Sequence, residues 1–342
     1  MKAVNYIEKG KIEVQDIEKP LCPPDEIMVK IKYCALCATD VHTVTNGLFG
    51  LNKPLTLGHE MSGEVVEIGD EVPDGLFEIG DKVTANPVPY CGVCPQCRRG
   101  LYQHCEKAAF NPDNRPMNAM AEYRSYPVKQ LYKVPKDIPF EHACLTEPIN
   151  CASRGLQLAN PQLGATICIS GAGSIGLIML DLIKYRGGTR ITVIDPVKEK
   201  RELALEMGAS FVIDPVNQNV VEEAMKITDG LGYDVVFEMS GAKSAAELCP
   251  DLVAHAGTIE FFAVFPEDYN FPLNLFDMFN KEARIQFTFT NPTLYPRSID
   301  LLRKLDMDKL VGPVYDIEDA PKAFEDFKKA KWPKLLIKCS KD

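Results

Sequence analysis

Four cysteines, Cys91, Cys94, Cys97 and Cys105, stand within fifteen residues in CGVCPQCRRGLYQHC, at spacings of three, three and eight. Thiolates grouped in this way can saturate a tetrahedral zinc ion and leave no open position. Such a site can brace the chain, but it cannot polarise a substrate. An iron–sulfur centre can also use four cysteines. A disulfide framework fits less well, because MKAVNYIEKG shows no secretory signal. A redox CxxC would need a βαβ setting that this stretch lacks. A structural zinc cage is therefore the expectation. Two other pieces, CALCATDVH and LGHEMSGEVVEIG, carry Cys37, His59 and Glu60, soft and borderline ligands suited to zinc. Glu147, in TEPIN, is a fourth candidate. Three protein ligands and one open position make a catalytic pattern. Either carboxylate can be the third ligand, or the two can exchange.

A second kind of chemistry is written in TICISGAGSIGLIMLDLIKYRGGTRITVIDP. Gly171, Gly173 and Gly176 form GxGxxG between an apolar strand and a helical stretch, which makes the match far more specific than the bare pattern. Gly171 allows the tight turn, Gly173 lets a pyrophosphate approach the backbone, and Gly176 lets helix and strand pack closely. Ser174 and Ile175 open the helix, whose free N–H groups and dipole suit phosphates. Asp195 lies 19 residues beyond Gly176, where a ribose-binding carboxylate is expected. It would repel a 2′-phosphate, so NAD is expected over NADP. Lys198, Lys200 and Arg201 follow and weaken that preference, and Arg201 counts among the cofactor-binding candidates.

The elements that must hold these residues can be read from texture. Up to about residue 150 the chain is β-rich, with short alternating runs such as IMVKIKY and MSGEVVEIG divided by glycine and proline. From Ala165 the strands ATICIS, RITVID, FVID, YDVVFEMS and GTIEFFAVF alternate with helical stretches, the rhythm of a parallel sheet covered on both faces. The last stretch offers helices in SIDLLRKL and DAPKAFEDFKKA and a strand in KLLIKC. The fold class is thus α/β. The 342 residues are 46% hydrophobic with a formal charge of -10, enough for two cored domains and adverse to nucleic acid or an anionic membrane as partner. No apolar run reaches the roughly 18–20 residues of a membrane span. A cytoplasmic protein is expected.

Taken together, CALCATDVH, GHEMSGEVVEIGD, the cysteine stretch, AEYRSYP, EPINCA, GAGSIGL and DAPKAFEDF resemble the zinc-containing medium-chain dehydrogenase/reductase superfamily, on its polyol and threonine dehydrogenase side. These segments keep the family's order over nearly the whole chain. The resemblance implies a GroES-like catalytic domain with a structural zinc lobe over 1–149 and a Rossmann NAD-binding domain over 150–291. Residues 292–342 would return to the catalytic domain. It implies two zinc ions per chain: a catalytic one on Cys37 and His59, with Glu60 and Glu147 as ligands or near-ligands, and a structural one on the four clustered cysteines. Thr39 would be the hydroxyl beside the reacting oxygen, and His42 a further proton-relay group. A homodimer or homotetramer acting on a small alcohol or polyol is implied as well. Arg154, in CASRG, departs from the histidine or asparagine common in relatives; it could meet a pyrophosphate or an anionic substrate. The aromatic run FFAVFPEDYNFPLNLFDMF reads in part as sheet core and subunit contact, not as a sugar platform.

Overall fold

The computed structural model describes residues 1–46, 55–107, 118–291 and 293–341. Pro292, where the third sequence segment is expected to begin, lies outside them. The chain divides into two units, Met1–Asn150 with Asn291–Asp342, and Cys151–Thr290.

In the first unit the alternating runs form strands, as their period of two requires. Its larger sheet runs in the order Val311–Asp316, Lys334–Lys338, Glu26–Ala35, Glu60–Ile68, Lys82–Ala85, Leu131–Lys133, with Tyr123–Pro127 pairing on Glu26–Ala35. Register matters most at one end. Ala35 pairs with Leu336 on one side and with Glu60 on the other, so three segments distant in sequence meet there. Ile27, Val29, Ile31, Met61, Val65, Leu335 and Ile337 bury their side chains in the core against this sheet. Helix α1 (Ala38–Asn46) starts just past the end of Glu26–Ala35, and helix α2 (Thr146–Ala159) leads out of the unit.

In the second unit, six parallel strands follow the chain as β1 (Thr166–Ser170), β2 (Arg190–Ile194), β3 (Phe211–Ile213), β4 (Tyr233–Glu238), β5 (Val253–Phe261) and β6 (Arg284–Phe287). Their spatial order is β3-β2-β1-β4-β5-β6, the doubly wound arrangement whose order reverses between β1 and β4. The near-continuous apolar strands make sense here, because both faces of the sheet are covered. Helix α3 (Ser174–Tyr185) follows β1 directly and buries Leu177 to Ile183. The sequence reading found five strands and missed β6. RIQF is only four residues long, the lower limit for an alternating signal, and its burial does not follow its polar–apolar alternation, with Arg284 and Phe287 both exposed. The aromatic run is also not uniformly sheet: it contains helix α4 (Leu275–Lys281), which leaves Leu275, Phe276 and Phe279 exposed.

Candidate active site and dinucleotide loop

Cys37 stands at the start of α1, its carbonyl accepting from the backbone N–H groups of Asp40 (3.1 Å) and Val41 (3.4 Å). His59 and Glu60 sit at the entry to the Glu60–Ile68 strand. One ligand atom from each of Cys37, His59 and Glu60 lies within 4.8 Å of the other two, and the set is largely buried. Glu147 does not belong to this group of three. It lies in the first turn of α2, mostly buried, and its charge pushes up the pKa of both Glu60 and Lys334. Thr39 Oγ1 is 3.6 Å from the Cys37 Sγ, and His42 is exposed one turn further along α1.

Two residues that sequence reasoning did not single out complete the arrangement. Asp40 is wholly buried. Its Oδ2 accepts from the Cys37 N–H and its Oδ1 from the Gly58 N–H, both at 3.1 Å. Oδ1 also faces His59 Nδ1 at 3.4 Å. That contact reserves Nδ1 for Asp40 and leaves Nε2 to face a ligand. Burial works against a charge on His59, but Asp40 and Cys37 together raise its pKa well above the ordinary value. Gly58 supports this arrangement by conformation. Its φ is +88°, and a Cβ there would strike Met120 and the Cys34 sulfur at 2.5–2.7 Å.

Lys334 is the second. It is 1% exposed, and its Nζ donates to both Glu60 oxygens at 2.5 and 2.6 Å and to the Leu36 carbonyl at 3.2 Å. Burial pushes the Glu60 carboxyl up to about 7 even though Lys334 opposes it. Burial also works against the Lys334 charge, but Glu60 and Cys37 outweigh it and raise its pKa. Asp40 was within reach of the sequence reading, inside CALCATDVH. Lys334 offered only the oddity of a lysine opening an apolar strand.

The cysteine cluster is a separate, closed site. A short helix, Pro95–Arg98, is capped by Cys94, whose sulfur accepts from the Cys97 N–H. Sulfur–sulfur distances of 4.0 Å join Cys91 to Cys97 and Cys94 to Cys105, and all four sulfurs lie within 4.8 Å of one another. The edge of a zinc–sulfur tetrahedron is about 3.8 Å for Zn–S bonds of about 2.3 Å, so the donor set fits that ion. Backbone N–H groups of Val93 and Cys94 lower the Cys91 thiol to about 6, and the N–H of Cys97 lowers that of Cys94. Burial raises Cys97 to about 12. Among the described residues, Tyr90 and Tyr102 pack against the four cysteines, a small apolar complement for a lobe of this kind.

On the second unit, the three glycines behave differently from one another. Gly171 has φ +106°, and a Cβ there would meet Ser240 at 3.0 Å. A Cβ on Gly176 would lie 1.9 Å from the Gly171 carbonyl oxygen. At Gly173, which caps α3, a Cβ meets nothing within 4 Å. Its small size therefore serves open space at a helix N-terminus, where a pyrophosphate would lie. Ser174 and Ile175 begin that helix, and Gly173 offers their N–H groups no side-chain cap. Asp195 is buried, its Oδ2 accepting from the Ala172 N–H and its Oδ1 from the Val197 N–H, each at 2.8 Å. Arg201 comes to the same place but is held by the protein. It donates to the Asp195 carbonyl and to Asp214, both at 2.7 Å. Arg154 donates to Gln157 at 3.2 Å and lies near buried Glu260, which burial pushes up to about 7 against Thr288 and Arg154.

A buried Cys–His–Glu donor set, a closed four-thiol cage and a dinucleotide turn at the switch point of a parallel sheet define a metal-assisted, nucleotide-dependent dehydrogenase. Two family models match: the alcohol dehydrogenase GroES-like domain over residues 23–136 and the zinc-binding dehydrogenase over residues 174–328. The L-threonine 3-dehydrogenase of Pyrococcus furiosus is 34% identical over 93% of this chain and 90% of its own length. The sorbitol dehydrogenase of Bacillus subtilis is 29% identical over 95% and 93%. A chain from Sinorhizobium meliloti 1021, described as a zinc-binding dehydrogenase and solved bound to NADP, superposes with a TM-score of 0.92 at 31% identity over 98% of both chains. The chain belongs to the zinc-containing medium-chain dehydrogenase/reductase superfamily, on its polyol and threonine dehydrogenase side. No helix among the described residues is long and apolar enough to cross a membrane.

Proposed function

We propose that the chain oxidises a secondary alcohol or polyol, including a sugar alcohol or its phosphate, to the corresponding ketone. When bound, zinc supplies Lewis acidity at the substrate oxygen and NAD supplies the hydride acceptor. The observation that carries this reading is the buried set Cys37–His59–Glu60, backed by Asp40 and Lys334, in a chain that also bears a complete dinucleotide turn. Cys37 and His59 would hold the metal, with Glu60 or Glu147 as the acidic ligand. Asp40 keeps the His59 ring in one orientation and one tautomer. Lys334 holds Glu60 back by both oxygens, so Glu60 reaches a metal only by loosening that pair. The Thr39 hydroxyl, beside Cys37, would take the substrate's proton. His42, three residues on and on the same face of α1, would pass it to solvent. Cys91, Cys94, Cys97 and Cys105 would hold a second, structural zinc.

Asp195 would accept from the ribose hydroxyls through the lone pairs its two N–H donors leave free, which favours NAD. Gly173, Ser174, Ile175 and Gly176 would receive the pyrophosphate, with Gly171 shaping the turn. Arg201 would fix the Asp195 loop more than touch the cofactor. Threonine and butanediol are the alternative substrates, since relatives bear those names. A reducing, cytoplasmic setting suits thiolate ligands. A homo-oligomer, dimer or tetramer, is part of the same reading. A panel of polyols, sugar phosphates, diols and threonine, followed by NADH formation with NAD and NADP in parallel, tests it. Turnover of a polyol with NAD and two zinc ions per chain is expected. A zinc-replete protein that oxidises none of the panel with either cofactor would sink the proposal.

A further inference from the structure

The chain leaves the first unit after Asn150 and re-enters it at Asn291. Both side chains are buried, at 0% and 3% exposure. Asn150 Nδ2 donates to the Asn291 carbonyl. Asn291 Nδ2 donates back to the Asn150 carbonyl at 3.1 Å and to its Oδ1 at 3.2 Å. Ser298 adds its hydroxyl to the same Oδ1 at 3.3 Å. The Asn291 Oδ1 is filled by the N–H and hydroxyl of Thr293, at 3.1 and 3.0 Å. Two amides removed from water are thus paired reciprocally, chain crossing against chain crossing. An apolar pair could fill this space at less desolvation cost. What a directional pair adds is a fixed position for the backbone that carries it.

That backbone is the first turns of α2. Glu147 and Asn150 are three residues apart on one face of the helix. The turn is tied on its other side by the Thr146 hydroxyl to the Ala143 carbonyl at 2.7 Å and by the Ile149 N–H to the Leu145 carbonyl at 3.1 Å. Glu147 is itself mostly buried, and its charge is felt at both Glu60 and Lys334. We propose that the Asn150–Asn291 clamp, with Ser298, is a positioning device that holds Glu147 at the acidic side of the Cys37–His59 metal site. It rests on the reading of Glu147 as a carboxylate of that site. None of the three clamp residues belongs to the Cys37–His59–Glu60 donor set. They act through the placement of α2.

The test is zinc release from the holoenzyme to the chromogenic chelator 4-(2-pyridylazo)resorcinol, with Cys37→Ser marking which release phase belongs to the Cys37 site. Glu147→Gln speeds that phase. Asn150→Ala speeds the same phase, by about ten-fold, the low end of what the loss of a ligand's supporting partner costs. Ser298→Ala, which removes a single donor and leaves the fold intact, speeds it in the same direction by less and decides the matter if Asn150→Ala does not fold. In the Glu147→Gln background, Asn150→Ala adds less than about two-fold, because both changes act on one group. A merely structural clamp would speed both phases, or its effect would multiply with that of Glu147→Gln, and either result overturns the proposal. If Glu147→Gln alone leaves the Cys37 phase unchanged, the metal-site reading of Glu147 has failed, and the clamp's role falls with it. If Glu147→Gln acts while Asn150→Ala and Ser298→Ala do not, only the clamp is wrong.

Discussion

Lys334 shows what a single buried charge demands. Its ammonium has exchanged water for two carboxylate oxygens and one carbonyl, and Glu60 depends on it equally. Removing one partner of such a pair leaves an uncompensated charge, which costs more than the pair itself contributes. Lys334→Met should therefore lower the stability of the protein by about 3–5 kcal/mol, read from the urea midpoint. Lys334→Met with Glu60→Gln should recover much of that loss. A single mutant within about 1 kcal/mol of the wild type would mean that the pair is not coupled. Glu260 gives a pH signature of opposite origin, because there burial outweighs the hydrogen bond from Thr288 and the nearby Arg154 and raises the carboxyl from 4.5 to about 7. The folded form then holds its proton more tightly than the unfolded chain. That contribution is complete below about pH 4.5 and disappears as pH rises through about 7. Wild type minus Glu260→Gln should fall across that window by up to about 3 kcal/mol. Parallel stability curves for the two proteins would rule it out.

At the scale of elements, the nucleotide turn was legible because everything it needs is local. Strand, three glycines and helix are consecutive, and the spacing alone assigns each glycine a task. The structure adds which tasks are steric and which are left for a ligand. A Cβ at position 176 collides with the Gly171 carbonyl, whereas one at 173 meets nothing. Gly176→Ala should therefore destabilise the second unit by about 1–3 kcal/mol, with dinucleotide binding lost as a consequence. Gly173→Ala should melt within about a degree or two of the wild type, yet weaken NAD binding about ten-fold, which is about 1.4 kcal/mol. Differential scanning calorimetry and titration calorimetry on the two variants separate these outcomes. Equal loss of stability in both would remove the distinction drawn between them. The strand RIQF was not legible, because its polar–apolar alternation covers only four residues, the lower limit of such a signal, and its burial does not follow that alternation. Asp40 lies inside CALCATDVH, but its partners, the Gly58 N–H and His59, lie across a gap in sequence that no spacing rule bridges.

For the whole molecule, the least legible contacts join the two ends of the chain. Lys334 donates to Leu36 across 298 residues and to Glu60 across 274, and nothing in KLLIKC names either partner. Composition had more to say about partners than about pairing. The charge of -10 disfavours indiscriminate association, yet the second unit leaves several large apolar side chains exposed. Strand β6 is one of the two edges of the six-stranded sheet. Beside it in sequence, α4 exposes Leu275, Phe276 and Phe279 at 69–76%, and Phe287 of β6 is 64% exposed. An open edge and a group of exposed aromatics are liabilities that a soluble chain covers or blunts. In the proposed homo-oligomer a second copy of the chain would supply the cover, and a two-fold contact would present the same residues from both sides. Light scattering behind size exclusion should therefore return a multiple of 38.0 kDa. Phe276→Glu combined with Phe279→Glu places like charges on both sides of such a contact and should return the 38.0 kDa chain with its zinc content unchanged. A wild-type protein that is already a monomer, or a double variant that keeps its oligomeric mass, would place the contact elsewhere or remove it.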